Sequence, residues 1–137
     1  MTSRREFLTT TLVVASGLTI VKSAPALAGS SGAYPAGLIY TAGDPGMWIK
    51  KVGGHAPLVS ITGGKATITT DHSMSEKHYI VRHTLVAADG AVVSAKTFYP
   101  SDEEPVSSHQ LPAGAKGKFY ATSFCNKHDF WVTEFNV

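Results

Sequence analysis

From Leu58 onward, short runs of apolar and β-branched residues alternate with glycine, proline and acidic breaks, a spacing that reads as strands. Leu58–Thr62 is closed by Gly63-Gly64 and followed by Lys65–Thr70, where threonine and isoleucine alternate. Two glycines between such runs predict a two-residue hairpin. Tyr79–Ala87 and Ala91–Phe98 flank Ala88-Asp89-Gly90, a second hairpin with Asp-Gly at its tip. Lys118–Phe124 and Phe130–Phe135 make a third pair, with a loop between them. Glycines, prolines and β-branched residues interrupt every helical candidate outside the N-terminal leader.

The pattern therefore predicts an all-β domain of about seven short strands, an immunoglobulin-like β-sandwich whose ends present clustered loops. No internal repeat is evident. The aromatic residues Trp48, Trp131, Phe124 and Phe130 are expected to be core or shielding residues. His83, five residues beyond His78, is expected on the opposite face as a surface or packing residue. His109, after the acidic, proline-containing loop Ser101–Ser108, is read as structural.

The N-terminus differs in kind. Ser3-Arg4-Arg5-Glu6-Phe7-Leu8 has the form of a twin-arginine export signal. A mildly apolar run from Thr9 to Val21 follows, and Ala26-Leu27-Ala28 offers a small-x-small cleavage site. The run falls short of the roughly 20 apolar residues of a membrane span, so no stable span is expected after cleavage. The expected organisation is a leader over residues 1–28, a flexible lead-in over 29–45 rich in Gly, Ala, Ser and Pro, and one folded domain over 46–137. The expected location is the periplasm or another exported compartment. That export route carries folded proteins, which fits a cofactor inserted beforehand.

Charge changes the picture only by exclusion. The chain has 12 basic and 10 acidic residues, but Arg4, Arg5, Lys22 and Glu6 belong to the leader. The remaining charge is near zero, and no basic patch interleaved with aromatics appears, so nucleic acid is excluded as a partner.

Candidate chemistry lies in one cysteine and six histidines. A single cysteine in an exported domain forms no internal disulfide. A free thiol there is a liability unless buried or metal-bound. Cys125-Asn126-Lys127-His128 places a thiolate and an imidazole at a chelating spacing. His72 and His78 bracket the short loop Ser73–Lys77 and can return to one ion from its two ends. His55 sits in Gly53-Gly54-His55-Ala56-Pro57, read as a stiffened loop before a strand. Singly, each histidine reads as a surface or hydrogen-bonded residue; as a set with one thiolate they read as ligands for a redox-active first-row metal.

Three blocks, His55-Ala56-Pro57, His72-Ser73-Met74 with His78-Tyr79-Ile80, and Cys125-Asn126-Lys127-His128, together resemble the iron domain of superoxide reductases, the neelaredoxins and the C-terminal part of desulfoferrodoxins. The resemblance covers about residues 48–137. It implies an immunoglobulin-like sandwich holding one mononuclear non-haem iron (Fe2+/Fe3+) in loops at one end. His55, His72, His78 and His128 would be equatorial ligands and Cys125 the axial thiolate, with the sixth position open. It implies one-electron reduction of superoxide to hydrogen peroxide, an external electron donor of unidentified nature, and a habit of homo-oligomers. Backbone N–H groups of Lys127 and His128 would tune the sulfur.

The chain also departs from the family pattern. Gly53-Gly54 stand where most members have Glu-Lys, whose lysine attracts superoxide and helps supply a proton. Ser73 replaces a proline and Asp129 a glycine. Loss of the lysine would slow the reaction without removing the metal. Lys77, just before His78 in Glu76-Lys77-His78, is the catalytic candidate in its place, with Lys50, Lys51 and Lys127 as further cations able to raise encounter with an anion. Asp102, Glu103 and Glu104 are a solvated loop or a donor-docking patch.

The competing reading on the same ligands is a non-catalytic iron-binding or electron-transfer protein of the cell envelope. Blue copper is disfavoured because no methionine follows His128. A metal-free structural sandwich would leave the paired blocks unexplained, and a cysteine nucleophile lacks the rest of a hydrolase signature.

Overall fold

The structure is a computed structural model and describes residues 34–137. The predicted leader and the first residues of the lead-in lie outside the described residues. Seven strands follow in order: β1 (Leu58–Thr62), β2 (Lys65–Thr69), β3 (Ile80–Ala87), β4 (Val92–Thr97), β5 (Val106–Gln110), β6 (Lys118–Cys125) and β7 (Asp129–Asn136). They form two antiparallel sheets, β1-β2-β5 and β4-β3-β6-β7. Ala66 and Ile68 of β2 share one buried cluster with Leu85 of β3 and Phe119 and Ala121 of β6, so the inner faces of the two sheets meet. The predicted all-β sandwich is what forms.

The hairpins fall where the turn residues put them. Gly63 and Gly64 both take positive φ (56° and 75°), the geometry of the turn that matches strand twist. Gly90 does the same (φ 89°) between β3 and β4.

Two sequence expectations need correction. Val106–Gln110 is a strand, β5, although Ser101–Ser108 read as a loop. Its inward positions are Ser107 and His109, so it shows no apolar alternation. Gly46–Lys51 forms a 3-10 helix that runs into a single α-helical turn, Val52–His55, where no helix was expected. No residue of Gly46–Lys51 is buried, so tertiary contacts and no apolar stripe hold it. His83 is fully buried between the sheets, so of the two roles the sequence left open it takes that of a packing residue. A β-bulge between Ile80 and Arg82 shifts the parity of β3, which turns both Ile80 and His83 inward and leaves Arg82 outside.

Smaller adjustments concern the aromatics and the lead-in. Trp131 is fully buried, whereas Phe124 is 40% exposed on the outer face of β6. Tyr40 is buried and pairs with β7: its N–H donates to Phe130 O and its carbonyl accepts from Val132 N, both at 2.9 Å. This part of the lead-in is packed rather than flexible. Among the described residues no helix is long and apolar enough to cross a membrane.

Candidate metal centre

Three segments at one end of the sandwich bring the histidines together. The α-turn Val52–His55 delivers His55, buried, at its last residue. The loop between β2 and β3 carries His72 and His78. It closes on itself through Ser75: the backbone of Ser75 and His78 exchanges two hydrogen bonds (3.1 and 3.2 Å), and Ser75 Oγ donates to His78 O at 3.0 Å. The β6–β7 hairpin supplies Cys125 as the last residue of β6. It turns through Asn126-Lys127-His128 and re-enters β7 at Asp129, at φ 69°. A three-residue hairpin loop closed by a left-handed residue is a favoured geometry.

The four imidazoles form a ring. His72 Nε2 lies 3.1 Å from His78 Nε2, His78 Nε2 lies 3.0 Å from His128 Nδ1, and His128 Nδ1 lies 3.1 Å from His55 Nε2. Ring centroids of His55 and His72 complete the circuit at 4.7 Å, while His55 and His78 face each other across it at 6.0 Å. Cys125 Sγ sits 3.7 Å from His128 Nδ1. The donor atoms of His55, His78, Cys125 and His128 all lie within 4.8 Å of one another.

This arrangement fits a mononuclear metal. Bonds of about 2.1 Å at right angles place neighbouring nitrogens ~3.0 Å apart, whereas tetrahedral angles would place them ~3.4 Å apart. The observed 3.0–3.1 Å edges match the square. His128 Nδ1 also has three close neighbours, and one ring proton cannot serve all three.

Tautomers are set from outside the ring. His55 Nδ1 donates to Lys51 O at 2.9 Å, and His72 Nδ1 donates to Ser73 O. A carbonyl only accepts, so both Nε2 atoms turn bare lone pairs inward. Burial lowers the His55 pKa to about 4, against the raising effect of the Lys51 carbonyl and with help from the neighbouring imidazoles. His78 and His128 are lowered too, first by burial, with neighbouring histidines and the Lys51 and Lys127 charges adding. All three are thus held neutral, the form that binds metal.

Cys125 is almost fully buried against Ile80 and Phe98, with Met74 packed alongside. Lys127 N donates to its sulfur at 3.5 Å. Asn126, quoted above only as part of a motif, staples the two ligand loops. Its Oδ1 accepts from Tyr79 N at 3.0 Å, and its Nδ2 donates to Lys77 O at 3.1 Å. The structure thus ties Lys77 to the site through its carbonyl, while the cations that act on the site imidazoles are Lys51 and Lys127.

Fold and site together define an antiparallel β-sandwich with a histidine and cysteine cluster at one end, in which His55, His78, Cys125 and His128 converge and His72 adjoins through His78. The sequence profile of the family described as desulfoferrodoxin matches residues 50–134, and the chain belongs to that family. Among solved structures it is similar to the superoxide reductase (neelaredoxin) from Ignicoccus hospitalis, at 22% identity over 76% of this chain and 98% of that one, TM-score 0.61. It is also similar to the superoxide reductase from Giardia intestinalis, at 22% identity over 61% and 97%, TM-score 0.55. A third likeness is to the superoxide reductase from Treponema pallidum, at 24% identity over 59% and 66%, TM-score 0.50. At these identities the likeness is one of fold. No curated protein matches in sequence.

Proposed function

We propose that this protein is a superoxide reductase working at one non-haem iron held by His55, His72, His78, His128 and Cys125. The observation that carries this reading is the run of imidazole nitrogens at 3.0–3.1 Å with a buried cysteine sulfur beside it, in a chain of the desulfoferrodoxin family. When bound, such an iron supplies a one-electron couple whose donor strength a thiolate ligand increases.

The chain's own residues do the rest. The Lys51 and Ser73 carbonyls keep His55 and His72 in the tautomer that binds. Burial by Ile80 and Phe98 keeps water from Cys125, and the Lys127 N–H moderates its charge. His72, His78 and His128 are only half-buried, so a diatomic anion and solvent protons reach the centre. Superoxide takes one electron and two protons and leaves as hydrogen peroxide, and an external one-electron donor restores the reduced state. Lys51 and Lys127 attract the anion, with Lys77 as a third cation at the rim. The Ser3–Leu8 motif supports export through the twin-arginine route.

The test is metal content and visible spectrum of the purified protein, followed by a superoxide pulse on the reduced form. About one iron per chain, a thiolate band on oxidation and a fast response to superoxide are expected. Iron and band without that response would instead support an electron-transfer protein, the reading that Gly53-Gly54 in place of Glu-Lys favours. Absence of iron would sink both.

A further inference from the structure

Two backbone departures near the site meet in one hydrogen bond. Asp129 is the sole non-glycine residue at positive φ among the described residues, at 69°. A side chain there is disfavoured, and such residues persist where the surroundings hold them. Trp48 interrupts the 3-10 helix Gly46–Lys51 with non-helical φ and ψ of −97° and 26°. Trp48 Nε1 donates to Asp129 Oδ2 at 2.9 Å across 81 residues of sequence. The same indole stands edge-on to the His128 ring, with centroids 4.7 Å apart. His128 is held from its backbone as well, since its carbonyl accepts from Trp131 Nε1 at 2.8 Å.

We propose that Trp48 and Asp129 form a clasp that orients His128 and fastens the Gly46–Lys51 segment, and with it His55, to the metal site. Both are positioning residues: neither has an atom among the converging donors. The need for such a clasp follows from the local sequence. Gly53 and Gly54 make up half of the α-turn that carries His55, and glycine is a poor helix former. Lys51, whose carbonyl fixes the His55 tautomer, has no buried neighbour within its own 3-10 helix. Without an anchor the segment frays, and His55 loses both its position and its tautomer lock. With Trp48 pinned to Asp129, the segment is tied to the residue that follows His128, so two ligands are set by one contact.

Asp129 explains itself on this account. Glycine would take φ 69° more readily, but glycine has no carboxylate to receive the indole N–H. The left-handed position aims a short acceptor across the ring toward Trp48, and asparagine is the one other common residue that suits both demands.

The inference rests on the metal-site reading, and the experiment separates the two. Cobalt(II) is bound to the full chain as a spectroscopic probe, and its loss to excess chelator is timed in wild type, Asp129→Asn, Asp129→Gly, Trp48→Phe and the Trp48→Phe/Asp129→Gly double variant. The clasp predicts that Asp129→Asn keeps the wild-type spectrum and rate. Asp129→Gly and Trp48→Phe should each release cobalt roughly tenfold to a hundredfold faster with altered ligand-field bands. The double variant should be no worse than the singles, because one contact has been removed twice. Wild-type rates in both singles, or additive losses in the double variant, overturn the clasp while leaving the metal site standing. A wild-type chain that takes up no cobalt overturns both. Where Trp48→Phe does not fold, the Asp129→Gly and Asp129→Asn pair decides alone.

Discussion

The domain contains two histidine clusters that put the same side chain to opposite uses. At one end, His55, His72, His78 and His128 turn ring nitrogens toward a common point. Between the sheets, His83 and His109 are threaded on hydroxyls instead. His83 Nε2 meets Thr70 Oγ1 and His83 Nδ1 meets Ser107 Oγ, each at 2.8 Å. Ser107 Oγ meets His109 Nε2 at 2.7 Å, and His109 Nδ1 meets Ser94 Oγ at 2.6 Å. Thr70 Oγ1 reaches on to Ser123 Oγ at 2.8 Å. Hydroxyls both donate and accept, so every nitrogen of this buried chain is served and nothing is left for a metal. At the other end carbonyls stand behind His55 and His72, and carbonyls accept only, which forces lone pairs inward. For His55 and His72, the partner on the far nitrogen is what separates an inward-facing lone pair from a hydrogen-bonded strut.

The contrast breaks most sharply under substitution. His78→Ala should lower metal affinity by more than about a hundredfold, beyond the cost of losing an outer hydrogen bond. It should leave the metal-free melting free energy within about 1 kcal/mol of wild type, because the ring is half-exposed. Cys125→Ser should keep the fold and erase the thiolate-to-iron band; a retained band would remove Cys125 from the ligand set. His83→Ala should do the reverse. It leaves a cavity and strands Thr70 and Ser107, costing about 3 kcal/mol with or without metal, read by denaturant titration. If the two histidine variants shifted stability equally in metal-free protein, the distinction would fail.

Acid sharpens the same comparison to a smaller effect. Burial holds the His83 pKa down at about 3 against an ordinary 6.5, with His109 adding in the same direction. Below pH 6.5 the unfolded chain takes up a proton that the folded chain refuses. Stability is therefore complete above that pH and falls as the pH is lowered toward 3, by roughly 1.4 kcal/mol per pH unit from this residue. The other depressed histidines, His55 among them, add to the slope, so urea titrations from pH 7 to 4 should show His83→Leu reducing it by about that amount rather than abolishing it.

The smallest expected effect concerns the rim cations. Lys51→Ala and Lys127→Ala should each slow the encounter with superoxide about twofold to fivefold at low salt, with little difference at 1 M salt. Lys77→Ala serves as the third arm. A larger loss there than at Lys51 would assign the catalytic cation to Lys77, where the sequence put it.

The short-range chemistry of the chain was legible without coordinates. Gly63-Gly64, Asp89-Gly90 and the period-2 runs determine hairpins by φ preference and alternation, and six of the seven strands followed from them. The three histidine and cysteine blocks marked the residues that gather at one end of the sandwich, because metal ligation needs particular atoms. Contacts between distant segments were not legible. β5 hid because its inward residues, Ser107 and His109, are polar and answer to His83 across the sandwich. The bulge that turns His83 inward, the helical segment before His55 and the bond from Trp48 to Asp129 leave no periodic trace. Each is fixed by a partner far along the chain, and only folding selects that partner. Local propensity wrote the strands and motif spacing marked the candidate ligands; tertiary packing chose which nitrogen of each histidine faces the centre.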